Sequence, residues 1–221
     1  MSPSPETVSQ ARVVQLDHPL VVTALAELRH KDTPTPRFRA RVRELAKFLI
    51  YEATRDLETD PIEVPTPLAL TPGRTLGDRP LIVAPILRAG LAMMESATEL
   101  LPEAQVRHIG LYRNEETLQP VEYYLKLPGA ISPDATVLIL DPMLATGGSA
   151  TATIDAFKRR QASRIKFLCL IAAPEGVRNV HAAHPDVPIY CVSVDSHLND
   201  QGYIVPGLGD AGDRAFGTVQ V

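Results

Sequence analysis

A doubly wound α/β fold on a mostly parallel sheet is what this sequence predicts, and three observations predict it. Near-continuous apolar runs recur at residues 81–86, 137–140, 165–172 and 189–194, the mark of strands covered on both faces. Stretches of helical periodicity separate them, and strand–helix alternation of this kind folds into a parallel sheet. Two of the runs end in turns of small residues that open a helix, at 87–90 and 146–149.

The chain of 221 residues is read as one domain over 1–221, with residues 1–10 as a flexible tail. Hydrophobic residues make up 45% and charged residues 22%, ordinary values for a globular protein. A net charge of −4 offers nothing to nucleic acid or to acidic membranes. No run approaches the ~18 apolar residues of a membrane span, and the first ten residues lack the basic and apolar regions of a secretory signal. Cys169 and Cys191 each sit in an apolar, β-like run, so buried free thiols are expected. A cytoplasmic protein with neither nucleic acid nor membrane as partner is the expectation.

Val21, Ala24, Leu25 and Leu28 form one apolar face of a first helix behind Pro19. Residues 33–36 carry stops and caps, and Phe38, Val42, Leu45, Ala46 and Leu49 line a second helix. Arg37, Arg39, Arg41 and Arg43 fall largely on its other faces, as a solvated face or as a contact for an anionic effector or a partner subunit. The proline-rich stretch 61–80 reads as loop with short extended pieces. After the strand at 81–86, Leu91, Met94, Thr98 and Leu101 mark a helix stopped at Pro102, with Met93 and Met94 as core packing. Residues 106–112 read as a strand and 113–120 as a charged loop. Val121, Tyr123, Leu125 and Leu127 then alternate with polar neighbours as in a half-buried strand. Residues 112–128 are therefore a β-arm or flexible loop over the ligand edge, or an ordinary hairpin. Pro174 opens a short helix between the last two apolar runs.

The chemistry is concentrated at Asp141-Pro142-Met143-Leu144-Ala145-Thr146-Gly147-Gly148-Ser149. In open parallel sheets, ligands bind at the carboxyl ends of the strands, where this loop sits. Thr146, Gly147, Gly148 and Ser149 can turn backbone N–H groups and two hydroxyls toward one anion, with the positive end of a helix behind them. Asp141 repels such an anion and suits sugar hydroxyls, or a metal beside them. An acid for a diol and a donor nest for a phosphate suit a ribose 5-phosphate. The alternative is a structural connection whose Asp caps the helix. No Lys follows the glycines, so this is not a Walker loop.

Arg88 repeats the design with a planar five-donor fork suited to a diphosphate. Arg113 is a second candidate, or a partner for Glu115 or Glu116. Near the C-terminus, Gly207, Gly209 and Gly212 match a dinucleotide fingerprint, which is rejected because Pro206 breaks the strand before it and no βαβ unit can follow. A glycine-rich loop remains, able to read the edge of a small flat base through backbone groups, with Ile204 as an apolar cover. His181 and His184 are read as surface residues without a third metal ligand, and His108 as a packed or edge histidine.

The segments VAPILRAGL, LYRNEETLQPVEYY, DPMLATGGS, AAPEGV, HPDV and GYIVPGLGDAGDRAFGT together resemble the bacterial uracil phosphoribosyltransferase family, from about His18 to the C-terminus. One departure from the wider type I phosphoribosyltransferase signature is Pro142, where a second acid is usual; the Asp-Pro form is that of the uracil branch. The resemblance implies a type I phosphoribosyltransferase fold and a pentosyltransferase that makes UMP and diphosphate from uracil and 5-phospho-α-D-ribose 1-diphosphate (PRPP). It implies PRPP binding by Arg88, Arg113, the segment from Asp141 to Ser149, and Asp210. Uracil falls to Ile204, Gly209, Asp210 and Ala211, and catalysis to Asp141, Arg88 and Asp210. It also implies Mg²⁺ bound mainly through PRPP, no protein metal site, and a homodimer or higher homo-oligomer, with GTP activation left open. Two rivals stand: a regulator of this fold that binds RNA, and an enzyme of this fold acting on another base.

Overall fold

The computed structural model describes residues 12–113 and 120–218. In chain order its strands are β1 (Val13–Gln15), β2 (Asp60–Pro65), β3 (Leu70–Thr75), β4 (Leu81–Leu87), β5 (Gln105–Val106), β6 (Ile109–Arg113) and β7 (Pro120–Leu125), then β8 (Thr136–Leu140), β9 (Met143–Leu144), β10 (Arg164–Ala172), β11 (Ile189–Val194), β12 (His197–Leu198) and β13 (Ile204–Val205). The helices are α1 (Pro19–Arg29), α2 (Thr35–Ala53), α3 (Leu91–Leu100), α4 (Gly148–Lys158), α5 (Pro174–Ala183) and α6 (Ala211–Phe216).

A nine-stranded sheet runs β1-β11-β10-β8-β4-β6-β7, with β5 beside β4 and β9 beside β10. Every pairing in it is parallel except β6 with β7. Strand side chains alternate between faces, and both faces are covered. Val83, Leu138, Leu140, Leu168 and Leu170 pack under α1, α2, α3 and α6, whereas Ile82, Ala84, Val137, Ile139, Phe167 and Cys169 pack under α4 and α5. Burial on both sides is why these strands read as unbroken apolar runs. The doubly wound expectation matches this architecture. Pro19 opens α1, and Val21, Ala24, Leu25 and Leu28 are its buried residues, the face the periodicity picks out. Lys166, 7% exposed within β10, donates to the Ala53 carbonyl at 2.6 Å, which places a cation at the C-terminus of α2.

Several expectations are corrected. The short extended pieces expected within the loop at 61–80 are longer and more regular than that: they form an antiparallel hairpin of β2 and β3, paired from Asp60 with Thr75 to Pro65 with Leu70. Arg79 braces its base by two hydrogen bonds to Asp60, at 2.8 and 2.9 Å. The arginines of α2 do lie on a solvated face, with Arg37, Arg39 and Arg43 exposed, and to it the structure adds ion pairs: Arg37 and Arg41 with Glu27 of α1, and Arg43 with Glu95 of α3 at 2.9 Å. The buried face of α3 is Met93, Ser96 and Ala97, one position away from the Met94 face, because Met93, Ala97 and Leu101 point into the core. The strand expected at 106–112 is broken into β5 and β6. Edge strand β1 is an addition, too short to give a periodic signal. The half-buried alternation holds for Leu125 and Leu127, which pack against the core while Tyr124 and Lys126 are exposed, but Tyr123 departs from it and is exposed. Strands β6 and β7 pair antiparallel at one edge of the sheet, and residues 114–119 between them lie outside the described residues, as does the tail at 1–10.

Candidate functional site

Strand β8 ends at Leu140 and Asp141 follows, at the sheet's carboxyl edge. The Asp141 N–H donates to Leu168 O at 3.1 Å, so the backbone is still held to β10 at that point. The chain then jogs and resumes as β9 beside Ile171 and Ala172. Pro142 and Leu144 are thereby buried in the core, Leu144 at 1% exposure, so the side chains of these two cannot meet a ligand. Met143 and Ala145 are partly exposed. Loss of water around the Asp141 carboxyl pushes its pKa up to about 7, opposed only in part by the Met143 N–H at 3.5 Å.

The loop then closes onto α4. Gly147 is the N-cap, with φ +85°, a conformation that favours glycine. A Cβ there would also press to 3.0 Å from Gly176 O of α5. The cap makes no side-chain hydrogen bond, so the first-turn N–H groups of α4 stay available for an anion, beside the partly exposed Thr146, Gly148 and Ser149. From behind, Asn179 of α5 donates to the Thr146 carbonyl at 2.9 Å and fixes the loop.

The turn after β4 lies against this strand end. Gly90 is buried so closely that a Cβ would overlap the Leu140 carbonyl oxygen. The turn follows a cis Leu87–Arg88 peptide, and the Arg88 side chain is 61% exposed. The third turn meets the second: Gly212 faces Ala89, and Arg88 Nη2 lies 3.3 Å from Asp213 Oδ1. Asp141, Arg88 and the loop before α6 thus share one sheet edge.

That loop runs from Ile204 through a cis Val205–Pro206 bond to Asp210. Gly207 and Gly209 have φ of +64° and +76°. Gly207 and Leu208 are buried, whereas Gly209 and Asp210 are exposed. Asp210 caps α6, accepting the Asp213 N–H at 2.8 Å. Ile204, 7% exposed, and Ala211, fully buried, are largely taken into the core, which leaves Ala211 its backbone amide. The side chain of Arg113 lies outside the described residues, as do Glu115 and Glu116.

Sequence reading missed the supports of this loop, Arg29, Asp195 and Arg214, because nothing local marks a contact across the length of the chain. It also misplaced His184, while His181 is partly exposed. His184 is 4% exposed with Nε2 3.3 Å from Asp155 Oδ1, and His181 has a buried Nε2, its pKa lowered by burial. Among the described residues no group of three His, Cys, Asp or Glu could hold a metal ion, and no helix is long and apolar enough to cross a membrane. Cys169 and Cys191 are buried and free. A cavity at the opposite, amino-terminal edge, between Arg79, Thr136, Arg164 and Lys166, is remote from all three turns.

Comparison with known proteins bears on this edge. The family model for uracil phosphoribosyltransferase matches residues 14–218. The uracil phosphoribosyltransferase of Symbiobacterium thermophilum is 55% identical over 208 residues, covering 94% of this chain and 99% of that protein. That of Sinorhizobium fredii is 54% identical over 206 residues, covering 93% and 98%. Among solved structures, the AQ2163 protein of Aquifex aeolicus superposes with a TM-score of 0.88 at 38% identity, covering 95% of this chain and all of that one. The architecture is the type I phosphoribosyltransferase fold, and the chain belongs to the uracil phosphoribosyltransferase family.

Proposed function

We propose that the three turns divide one reaction among them. The chain converts uracil and PRPP to UMP and diphosphate, the pyrimidine salvage reaction of its family. The bond from the ribose C1 to the diphosphate oxygen breaks, a bond from C1 to uracil N1 forms, and N1 loses its proton. Positive charge spreads over the ribose ring as diphosphate leaves, so the protein acts by positioning and electrostatics, without a covalent nucleophile. In this reading Asp141 orients the ribose hydroxyls and Thr146 to Ser149 hold the 5′-phosphate. Arg88 and Arg113 hold the leaving diphosphate. Exposed Gly209 and Asp210, with the backbone amide of buried Ala211, read the uracil edge, with Ile204 beneath them and Asp210 between base and PRPP.

The observation that carries this assignment is the approach of the turns to one another: Gly90 against Leu140 O, and Arg88 to Asp213 at 3.3 Å. In the same reading Mg²⁺ is held mainly through PRPP oxygens, the hard donors it prefers. When bound, the ion supplies charge neutralisation on the diphosphate. Assembly into a homodimer or higher homo-oligomer belongs to the same reading and is supported by the apolar surface of the β2–β3 hairpin region, where Leu68 is 97% and Leu70 68% exposed. A cytoplasmic location belongs to the same reading, with GTP as its candidate activator.

The test is incubation with PRPP, Mg²⁺ and, in turn, uracil, hypoxanthine and adenine, with chromatography of the products. UMP from uracil alone is expected, and its formation should stop on chelation. Nucleotide from a purine, or none from uracil, would overturn the assignment. Adding GTP to the same assay and measuring mass by light scattering test the activator and the assembly.

A further inference from the structure

The loop assigned to uracil is held from behind by charged side chains. Arg29, the last residue of α1, donates to Asp195 through two nitrogens: Nη1 to Oδ2 at 2.7 Å and Nη2 to Oδ1 at 2.5 Å. The same Nη1 donates to the Gly207 carbonyl at 2.7 Å. The Gly207 N–H donates to Asp195 Oδ2 at 3.0 Å, and Ser193 Oγ donates to Oδ1 at 2.7 Å. Both backbone groups of Gly207 are thereby gripped by one ion pair. The Asp195 side chain is 2% exposed and that of Arg29 21%. Burial alone would push the Asp195 carboxyl up, but its bonds to Arg29, Ser193 and Gly207 bring it below the ordinary carboxylate range, so it is charged at neutral pH.

Gly207 leaves little freedom of its own. Its φ is +64°, and a Cβ there would overlap the Ile204 carbonyl oxygen. One residue further on, Arg214 Nη1 donates to Leu208 O at 2.6 Å while its Nη2 donates to His30 O at 2.6 Å and its guanidinium lies 4.4 Å from the centre of the Phe38 ring. The scaffold therefore takes up the backbone of the buried half of the loop. The exposed half, Gly209 and Asp210, begins directly after it.

A planar guanidinium that meets a carboxylate in a fork fixes direction as well as distance, and in a water-poor place such bonds are short and strong. We propose that Arg29 and Asp195 are positioning residues for the pyrimidine: by fixing Gly207 they set where Gly209 to Ala211 stand, and so set the affinity for uracil far more than that for PRPP, of whose assigned contacts only Asp210 lies in this segment. The side-chain bonds of the pair go to α1, the end of β11 and the loop after β13, and none goes to Asp141 or to the α4 nest; the Asp195 N–H, at 2.8 Å from Ala172 O, ties the residue to the end of β10 through its backbone alone. This inference rests on the assignment of that loop to uracil.

The experiment compares wild type with Arg29→Lys, Asp195→Asn and Ser193→Ala, and with Arg37→Gln as a control that breaks an α1–α2 ion pair away from the loop. Lysine at 29 keeps the charge and loses the fork. Arg29→Lys and Asp195→Asn are expected to raise KM for uracil by about tenfold or more, the scale of one charge-assisted hydrogen bond. Ser193→Ala should raise it less, and Arg37→Gln not at all. PRPP affinity, measured by calorimetry without uracil, should fall by no more than about threefold in any variant, since Asp210 alone of its assigned contacts lies in the displaced segment. Equal losses for both substrates would reduce the pair to a general structural support and overturn the proposal, as would an unchanged KM for uracil. If Asp195→Asn does not fold, the same split in Arg29→Lys and Ser193→Ala decides. A wild-type chain that makes no UMP overturns the assignment on which the proposal rests, and the proposal with it.

Discussion

Arg88 and Asp213 meet at 3.3 Å across 125 positions of sequence, joining the turn after β4 to the helix behind the base loop. Their side chains are 61% and 36% exposed. An exposed pair of this kind contributes about 0–1 kcal/mol, so an incoming diphosphate can displace it at little cost. Asp213→Asn is therefore expected to leave the thermal midpoint nearly unchanged. Arg88→Ala should weaken diphosphate and PRPP binding by about ten- to a hundredfold, as the loss of charge-assisted hydrogen bonds implies. Calorimetric titration with diphosphate, beside circular dichroism, checks both.

Gly90 should not tolerate even one added carbon. Its backbone is ordinary right-handed helix, with φ −59°, so conformation is not the constraint. Space is: a Cβ would overlap the Leu140 carbonyl oxygen and lie 2.6 Å from Ile86 N and O, all backbone atoms of the sheet. Gly90→Ala must push the Arg88 turn away from the end of β8, at a cost of about 1–3 kcal/mol. PRPP turnover should fall with it, more steeply than stability. Urea unfolding and initial rates measured on the same sample separate the two effects.

Much of this was legible because the sheet is covered on both faces, so Val83, Leu138, Leu168 and their neighbours had to be apolar in unbroken runs. The ligand turns were legible too, since Asp141 to Ser149 and Leu87 to Gly90 are local stretches whose residue types report their own chemistry. The β2–β3 hairpin was hidden by Pro61, Pro65, Pro67 and Pro72, which a two-stranded ribbon with open edges accepts and a central strand does not. Arg29 with Asp195 was beyond reach, because 166 residues separate them and neither sits in a motif. His184 looked like a surface residue only because its packing against α4 is a tertiary fact.

The two cysteines should be chemically silent in the folded protein. Cys169 and Cys191 face each other as register partners on β10 and β11, both fully buried. Burial pushes the Cys191 thiol up to about 12 and that of Cys169 well above its usual value, so neither forms thiolate at neutral pH. Native protein treated with an aromatic disulfide reagent is expected to release almost no colour over the time in which denatured protein reacts at both thiols. Rapid native labelling would mean that β10 and β11 open readily.

Asp141 makes the stability of the unliganded protein depend on pH. Its folded pKa, about 7, lies above the ordinary value of 3.8 because burial disfavours the carboxylate. Between those two pH values the folded chain holds a proton that the unfolded chain has lost, so stability falls as pH rises from about 4 to about 7 and then levels off. The slope from this group is at most about 1.4 kcal/mol per pH unit. Asp141→Asn removes it, so the variant's thermal midpoint should gain on wild type as the pH goes from 5 to 8, while kcat/KM for PRPP drops. Accepting hydrogen bonds from ribose hydroxyls favours the carboxylate, so PRPP binding near pH 6.5 should release a proton. Calorimetry in buffers of different ionisation enthalpy reads that proton directly, and an Asp141→Asn variant that still released it would place the titrating group elsewhere.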